Sequence, residues 1–169
     1  MSYDLNILAI NQKNPTKLPF KSKIEVQNEF DNYGVKRYHS IWSYMTQMSG
    51  VWYSLVREED GVCNAYKICD SDYEIEESKI DMPYWIYDED IKYNLTPLII
   101  REDYENDFKK IIKYLIKESP IKTIMLLARY QSTEHEIVCG VLTLDEFNEL
   151  LNKRKILFNV CYIIRGDAD

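Results

Sequence analysis

The chain has 169 residues and a net charge of −7, with 46% hydrophobic and 29% charged residues. An apolar fraction of this size can form a buried core, which excludes an intrinsically disordered chain. The apolar stretches are shorter than the roughly 18 residues that cross a bilayer, and the N-terminus lacks the pattern of a signal peptide. We therefore expect a single domain, residues 1–169, in the cytoplasm, with its four cysteines reduced.

The N-terminal quarter of the chain predicts one strand and leaves one segment open. Residues 3–10 place apolar side chains at every second position, which is typical of a strand. A lysine-containing loop follows, and Pro15 and Pro19 enclose it, since proline fits neither a helix interior nor a central strand. Residues 22–33 show no clean period, so helix and strand remain equal alternatives there.

The next segment predicts a short helix and a β-hairpin. Residues 40–48 repeat apolar side chains at helical spacing and end at Ser-Gly. Residues 51–57 and 62–68 flank an Asp-Gly pair, which supplies the positive φ that hairpin turns need. We therefore expect the two segments to pair with each other.

The C-terminal half has clearer patterns. A helix is predicted from Asp103 to Glu118, with Asp103 as its N-cap. One face of this helix is apolar, and its lysines are expected to face solvent. Residues 123–129 are apolar almost without alternation, which indicates a strand covered on both faces. A second apolar strand is predicted at residues 136–142, after four polar residues that suit a hairpin loop.

The last two predicted elements complete the fold class. Thr143 and Glu146 have the spacing of a capping box at the start of a helix, and residues 156–164 form a long apolar strand. Together the elements predict the α+β class, with a mixed or mainly antiparallel β-sheet and at least three helices in a single domain.

The excess negative charge is concentrated in residues 70–90, the acidic segment, which holds nine acidic residues and one lysine. Aromatic rings between the acids suit a protein interface, and charge of one sign speeds encounter with a basic partner. A solvated loop that its aromatics anchor to the core is the alternative interpretation. As a partner-binding surface, the segment would use Asp72, Glu74, Glu76, Glu77, Tyr84, Trp85, Tyr87, Asp88, Glu89 and Asp90.

Residues suited to catalysis or metal binding are few. His135 and Cys139 share one face of a predicted strand, but Cys139 lies in an apolar run that is typical of a buried thiol. The spacing of the cysteines and histidines does not match a zinc site, and the five glycines stand too far apart for a phosphate loop. We therefore predict no catalytic residue, no metal and no cofactor.

Nucleic-acid binding is disfavoured because the net negative charge would repel phosphates. The short basic cluster at residues 153–155 follows a predicted helix, where cations offset the helix dipole. We therefore expect a protein partner, and neither a nucleic acid nor a membrane.

The order of elements in the C-terminal half, with CGVLTLDEF at residues 139–147 and FNVCYII at residues 158–164, resembles that of bacterial polymorphic-toxin immunity proteins. The resemblance covers residues 95–165 and consists of a capped helix before a final apolar strand in a small acidic chain. It implies a protein that binds and blocks a cognate toxin, often a basic nuclease. The acidic segment would then occupy the place where the toxin holds substrate phosphate.

Two other functions are alternatives to toxin binding. The first is a small enzyme with a cleft lined by His135, Cys139 or converging carboxylates. The second is a phage or regulatory protein that forms homo-oligomers through the apolar edge of its last strand.

Overall fold

The computed structural model describes residues 3–28, 49–57, 68–70, 97–130 and 137–167. These ranges contain eight strands and two helices. The strands are β1 (Tyr3–Ile10), β2 (Ile24–Asn28), β3 (Gly50–Arg57), β4 (Cys69–Asp70), β5 (Ile99–Ile100), β6 (Thr123–Tyr130), β7 (Ile137–Thr143) and β8 (Val160–Arg165). The helices are α1 (Glu102–Glu118) and α2 (Leu144–Asn152).

Six strands form one mixed sheet in the order β2-β3-β1-β6-β8-β7. Neighbouring strands are antiparallel except for β7 and β8, which run parallel. A parallel pair requires a connection that returns to the same end of the sheet, and α2 lies in the connection between β7 and β8. β4 and β5 form a separate antiparallel pair.

The prediction of at least three helices is wrong, because the described residues form two helices and are otherwise rich in strands. Residues 24–28 belong to the stretch that fits helix and strand equally well, and they form β2 because all five pair with β3. Pairing with a neighbouring strand therefore decides a segment that its own periodicity leaves open. The predicted helix at residues 40–48 lies outside the described residues.

One hairpin prediction falls mostly outside the described residues, and the other is wrong. β3 pairs with β1 and β2, and most of the predicted hairpin partner at residues 62–68 lies outside the described residues. β6 and β7 do not form a hairpin, because β8 lies between them and pairs with both. β8 is therefore an internal strand of this sheet, and its edges are not available for the homo-oligomer contact that we considered.

β8 is shorter than predicted because the backbone turns before it begins. Asn159 has a φ of 62°, in the left-handed region, and its N–H donates to the carbonyl of Ala128 at 2.7 Å. Leu157, two residues earlier, forms an isolated bridge with Pro97 instead of joining the sheet. The apolar run at residues 156–164 therefore contains a bridge, a turn and a strand.

The centre of the sheet is buried on both faces. Consecutive residues point to opposite faces of a sheet, and residues 5–10, 51–56 and 123–128 are all buried. The strand predicted as covered on both faces, residues 123–129, is thus confirmed as β6. The core of the protein lies on either side of β3, β1 and β6.

One polar pair lies within this central region. Asn6 of β1 and Ser54 of β3 are directly opposite in the register, and the hydroxyl of Ser54 donates to Oδ1 of Asn6 at 2.8 Å. Both residues are buried. The bond therefore gives the hydroxyl donor of Ser54 and the amide oxygen of Asn6 a partner away from water.

Both helices pack on the same face of the sheet. Phe147 of α2 makes an edge-to-face contact with Tyr162 of β8 at 6.3 Å. Tyr114 of α1 binds Thr16, whose backbone N–H donates to the hydroxyl of Tyr53 of β3. The register places Tyr53 and Tyr162 on one face, so α1 and α2 cover different parts of it.

The two helices begin differently. At α2 the predicted capping box is confirmed: Glu146 N donates to the hydroxyl of Thr143 at 3.1 Å, and Thr143 N donates to Glu146 Oε2 at 2.8 Å. At α1 the predicted cap Asp103 lies inside the helix, and the N-cap is Arg101, whose side chain makes no capping hydrogen bond to the first turn. Acidic residues in the first turn of α1 interact favourably with the positive end of the helix dipole.

Replacement of Thr143 by alanine should destabilise the protein by about 1 kcal/mol, because it removes the hydroxyl that accepts the Glu146 N–H. Urea unfolding followed by circular dichroism measures the change. Thr143→Ser keeps the acceptor and should retain most of the stability. Equal losses in both variants would contradict a capping role for the hydroxyl.

Candidate functional site

The predicted partner-binding residues, Asp72 to Asp90, lie outside the described residues, but the backbone on both sides of them is described. Cys69 of β4 pairs with Ile100 of β5, and Asp70 pairs with Ile99. We call these two short strands the stem. Because antiparallel partners are neighbours, the described residues that flank the acidic segment, Asp70 and Ile99, lie next to each other.

The stem is attached firmly to the rest of the structure. The backbone N–H of Arg101 donates to the carbonyl of Ile68 at 2.9 Å, and its Nε donates to the carbonyl of Cys69 at 3.3 Å. Leu98 N donates to the carbonyl of Ile156 at 2.7 Å. Ile68, Cys69 and Leu98 are at most 1% exposed. Cys69 and Ile100 of the stem, and Ile68 and Leu98 beside it, are therefore part of the buried core.

A groove of about 460 Å³ lies beside the stem, between the first turns of α1 and the end of α2. Arg101 and Arg154 line it together with Glu102 and Glu105, so its charges are mixed. Lys109 binds Glu105 at 2.5 Å and also donates to Asn152 of α2 at 2.9 Å. This contact links the two helices next to the groove.

The stem groove is lined by charged side chains of both signs. Arg101 and Arg154 can contact carboxylates and polar surfaces, and Glu102 and Glu105 are carboxylates, a group that can also act as a general base. The residues that line the groove include no histidine, cysteine or hydroxyl group. Within the part of the chain that the structure describes, no three His, Cys, Asp or Glu side chains are grouped to hold a metal ion.

The thiols have the environment of core residues. Burial raises the pKa of Cys139, which is half-buried on β7, and raises the pKa of Cys161 on β8 to about 12. A cysteine nucleophile needs a lowered pKa, since the thiolate is the reactive form. His135, the proposed base, lies outside the described residues. The environment of Cys139 therefore gives no support to a cysteine-histidine enzyme.

A second groove, of about 980 Å³, was not predicted from the sequence. Lys17, Lys21 and Lys23 line it together with apolar side chains of the same loop and of β2. The sequence signal was present as three lysines in seven residues that alternate with Leu18 and Phe20. That pattern is also common in solvated loops, so it does not identify a groove without the structure.

Comparison of the chain with protein-family models, curated proteins and solved structures gives no match. Within the ranges that the structure describes, no helix has the length and apolar character needed to span a membrane.

Truncation of Leu98 to alanine should destabilise the protein by about 2–5 kcal/mol, because it leaves a cavity where the stem meets the core. Ile99→Ala is the matched control, since Ile99 is only partly buried and should lose less stability. Urea unfolding of both variants measures the difference. Equal and small losses would show that the stem is not packed as described.

The buried thiol of Cys161 also predicts a pH dependence. Its pKa is about 12 in the folded protein and 9.0 without the environment of the fold, so the folded state keeps a proton that the unfolded chain loses above pH 9. Stability should therefore fall as the pH rises from 9 to 12, by up to about 1.4 kcal/mol per pH unit from this group.

Urea unfolding of the wild type and of Cys161→Ala at several pH values checks this expectation. The alanine variant lacks the titrating group and should lose stability less steeply above pH 9. Burial also raises the pKa of Tyr162, so a residual slope should remain in the variant. Identical slopes in the two proteins would contradict the assignment to Cys161.

Proposed function

We propose that this chain is an immunity-type protein that binds and neutralises a cognate bacterial toxin in the cytoplasm, with a basic nuclease as the favoured class of toxin. The observation that carries the proposal is the concentration of negative charge in the acidic segment, residues 70–90, at a net −8. The proposal also draws on the resemblance of the C-terminal half to immunity proteins.

The stem supports this proposal physically. A binding loop gains affinity when less of its freedom must be lost on binding, and fixing its two ends side by side shortens the range of positions it can explore. The stem holds Asp70, where the segment begins, beside Ile99, nine residues after the segment ends, through the pairs Cys69–Ile100 and Asp70–Ile99. Because the stem is attached to buried residues, the segment is connected directly to the core of the protein at Asp70.

The composition of the segment suits the active site of a nuclease toxin. Such a site holds the phosphates of its substrate with basic side chains, and carboxylates can occupy the same positions. Tyr84, Trp85 and Tyr87 would supply packed aromatic anchors, because aromatic side chains dominate the energetics of many interfaces. The carboxylates would thus set the speed and orientation of binding, and the rings its lifetime.

The chemistry of the described residues favours binding over the enzyme alternative. The half-buried thiol of Cys139 is kept protonated by its raised pKa, and neither groove brings Cys139 together with carboxylates. A protein that acts by blocking another protein needs no reactive group of its own.

The protein encoded immediately upstream of this chain is the toxin to test, expressed alone and together with it. We expect the upstream protein to stop growth when expressed alone, co-expression to restore growth, and the two proteins to form a complex when purified. An upstream protein that is harmless, or that shows no binding to this chain, would contradict the proposal.

Neutralising Glu74, Glu76 and Asp90 to the corresponding amides should slow association about tenfold at low salt, since charge complementarity controls encounter. The matched control neutralises the exposed Asp103, Asp145 and Asp167 and changes the net charge equally. Stopped-flow measurements at low and high salt give the association rates. A similar slowing in both variants would assign the effect to total charge and remove the segment from the interface.

A further inference from the structure

The second groove, named here the lysine groove, lies between the loop at residues 17–23, strand β2 and helix α1. Its charged rim consists of Lys17, Lys21 and Lys23, all of which are exposed. Its apolar lining includes Leu18 and Phe20, which are partly buried and pack against the core. The groove thus combines three cations with an apolar floor.

The loop that forms the groove is held in place by specific contacts. The hydroxyl of Tyr114 shares a 2.6 Å hydrogen bond with Thr16 and also donates to the carbonyl of Lys17 at 3.2 Å. Phe20 makes an edge-to-face contact with Tyr114 at 6.1 Å. Tyr53 accepts from Thr16 N and donates to buried Gln12 at 2.6 Å. A fixed loop presents its lysines without a large loss of chain freedom on binding.

The lining of the lysine groove also includes the carboxylates of Glu25 and Asp107, so its three lysines and two carboxylates sum to a formal charge of +1. Asp107 Oδ2 accepts the backbone N–H of Lys23 at 2.8 Å, and Glu25 accepts from the side chain of Gln27 at 3.2 Å. Among the residues that the structure describes, no carboxylate forms an ion pair with the three ammonium groups of the rim. The rim therefore has positive charge available for a ligand.

We propose that the lysine groove binds the acidic segment, residues 70–90, of a second copy of this chain. The segment carries a net charge of −8 and interleaves its acids with large rings, among them Tyr84, Trp85 and Tyr87. Carboxylates would meet the lysine rim, and an aromatic ring would pack on Leu18 and Phe20. Lysine ammonium groups are also attracted to the faces of aromatic rings.

Charge complementarity within a single sequence is the reason for choosing a second copy as the occupant. Each molecule has both the cationic groove and the anionic segment, so two molecules related by a two-fold axis would form the same contact twice. Repulsion between the net charges of two copies is screened beyond about 8 Å at physiological salt, whereas direct contacts are screened much less. Local complementarity can therefore outweigh the total charge.

This inference does not rest on the proposed function, because it concerns this chain alone. If both hold, toxin and second copy compete for the acidic segment, and the immunity protein would be stored as a dimer that the toxin separates. Self-association is measured without any toxin. If no dimer forms, the proposal of toxin binding still stands, and if no toxin binds, the proposal of the dimer still stands.

Sedimentation velocity over a wide range of protein concentration tests the proposal. We expect a dimer at physiological salt, where long-range repulsion is screened, that dissociates at much higher salt. Its dissociation constant should be at least about tenfold weaker in Lys17→Glu/Lys21→Glu/Lys23→Glu. The matched control is Lys110→Glu/Lys113→Glu/Lys117→Glu, which changes three exposed lysines of α1 and should leave most of the dimer. Circular dichroism establishes that both variants are folded.

Three results would overturn the proposal. The wild type is a monomer at every concentration at physiological salt, the dimer persists in the groove variant, or both variants lose it equally. The last result would assign the change to total charge.

A synthetic peptide of residues 70–90 provides a second measurement that does not depend on the dimer being stable. Fluorescence anisotropy should show that the labelled peptide binds the full chain and binds the groove variant at least about tenfold more weakly. Replacing Tyr84, Trp85 and Tyr87 of the peptide with serine should also weaken binding, because the apolar floor loses its contact. Equal binding to the wild type and the groove variant would contradict the groove as the site.

Discussion

The pairing of β1 with β3 on one side and β6 on the other is the constraint on which the rest of the structure depends. Residues 5–10 of β1 are all buried, so this strand has no solvent-facing side. The fold must therefore cover both faces of the sheet, and α1 and α2 cover parts of one of them through Tyr114 and Phe147. The stem and the groove beside it contact the start of α1, and Asp107 of α1 contributes to the lysine groove.

Patterns that arise within a few residues could be predicted from the sequence. The capping box of Thr143 and Glu146 depends on two residues that are three positions apart in the sequence. The continuous apolar run of β6 indicates a strand that is buried on both faces. Partner choice could not be predicted, since β8 lies between β6 and β7 because of contacts that are distant in sequence. The left-handed backbone of Asn159 divides an apolar run that the sequence predicts as one strand. Pairing with β3 makes residues 24–28 a strand, which their own periodicity does not determine.

The candidate sites divide in the same way. Local charge identified the acidic segment, because nine acids in one short stretch are visible without a fold. The stem was not predictable, since it joins residues that are about thirty positions apart in the sequence. The lysine groove needs the loop, β2 and Asp107 of α1 to meet. The nine acids of the acidic segment and the three lysines of the groove lie at separate positions along the chain.

The buried hydrogen bond between Ser54 and Asn6 bears on how the chain avoids misfolding. A slip of β3 by one residue along β1 would exchange the two faces of the strand and place both polar side chains among apolar ones without a partner. Each orphaned group would cost about 1–3 kcal/mol. Strands that are apolar on both faces can pair in several registers at similar cost. The hydrogen bond between Ser54 and Asn6 forms in the native register, so it favours that register over shifted ones.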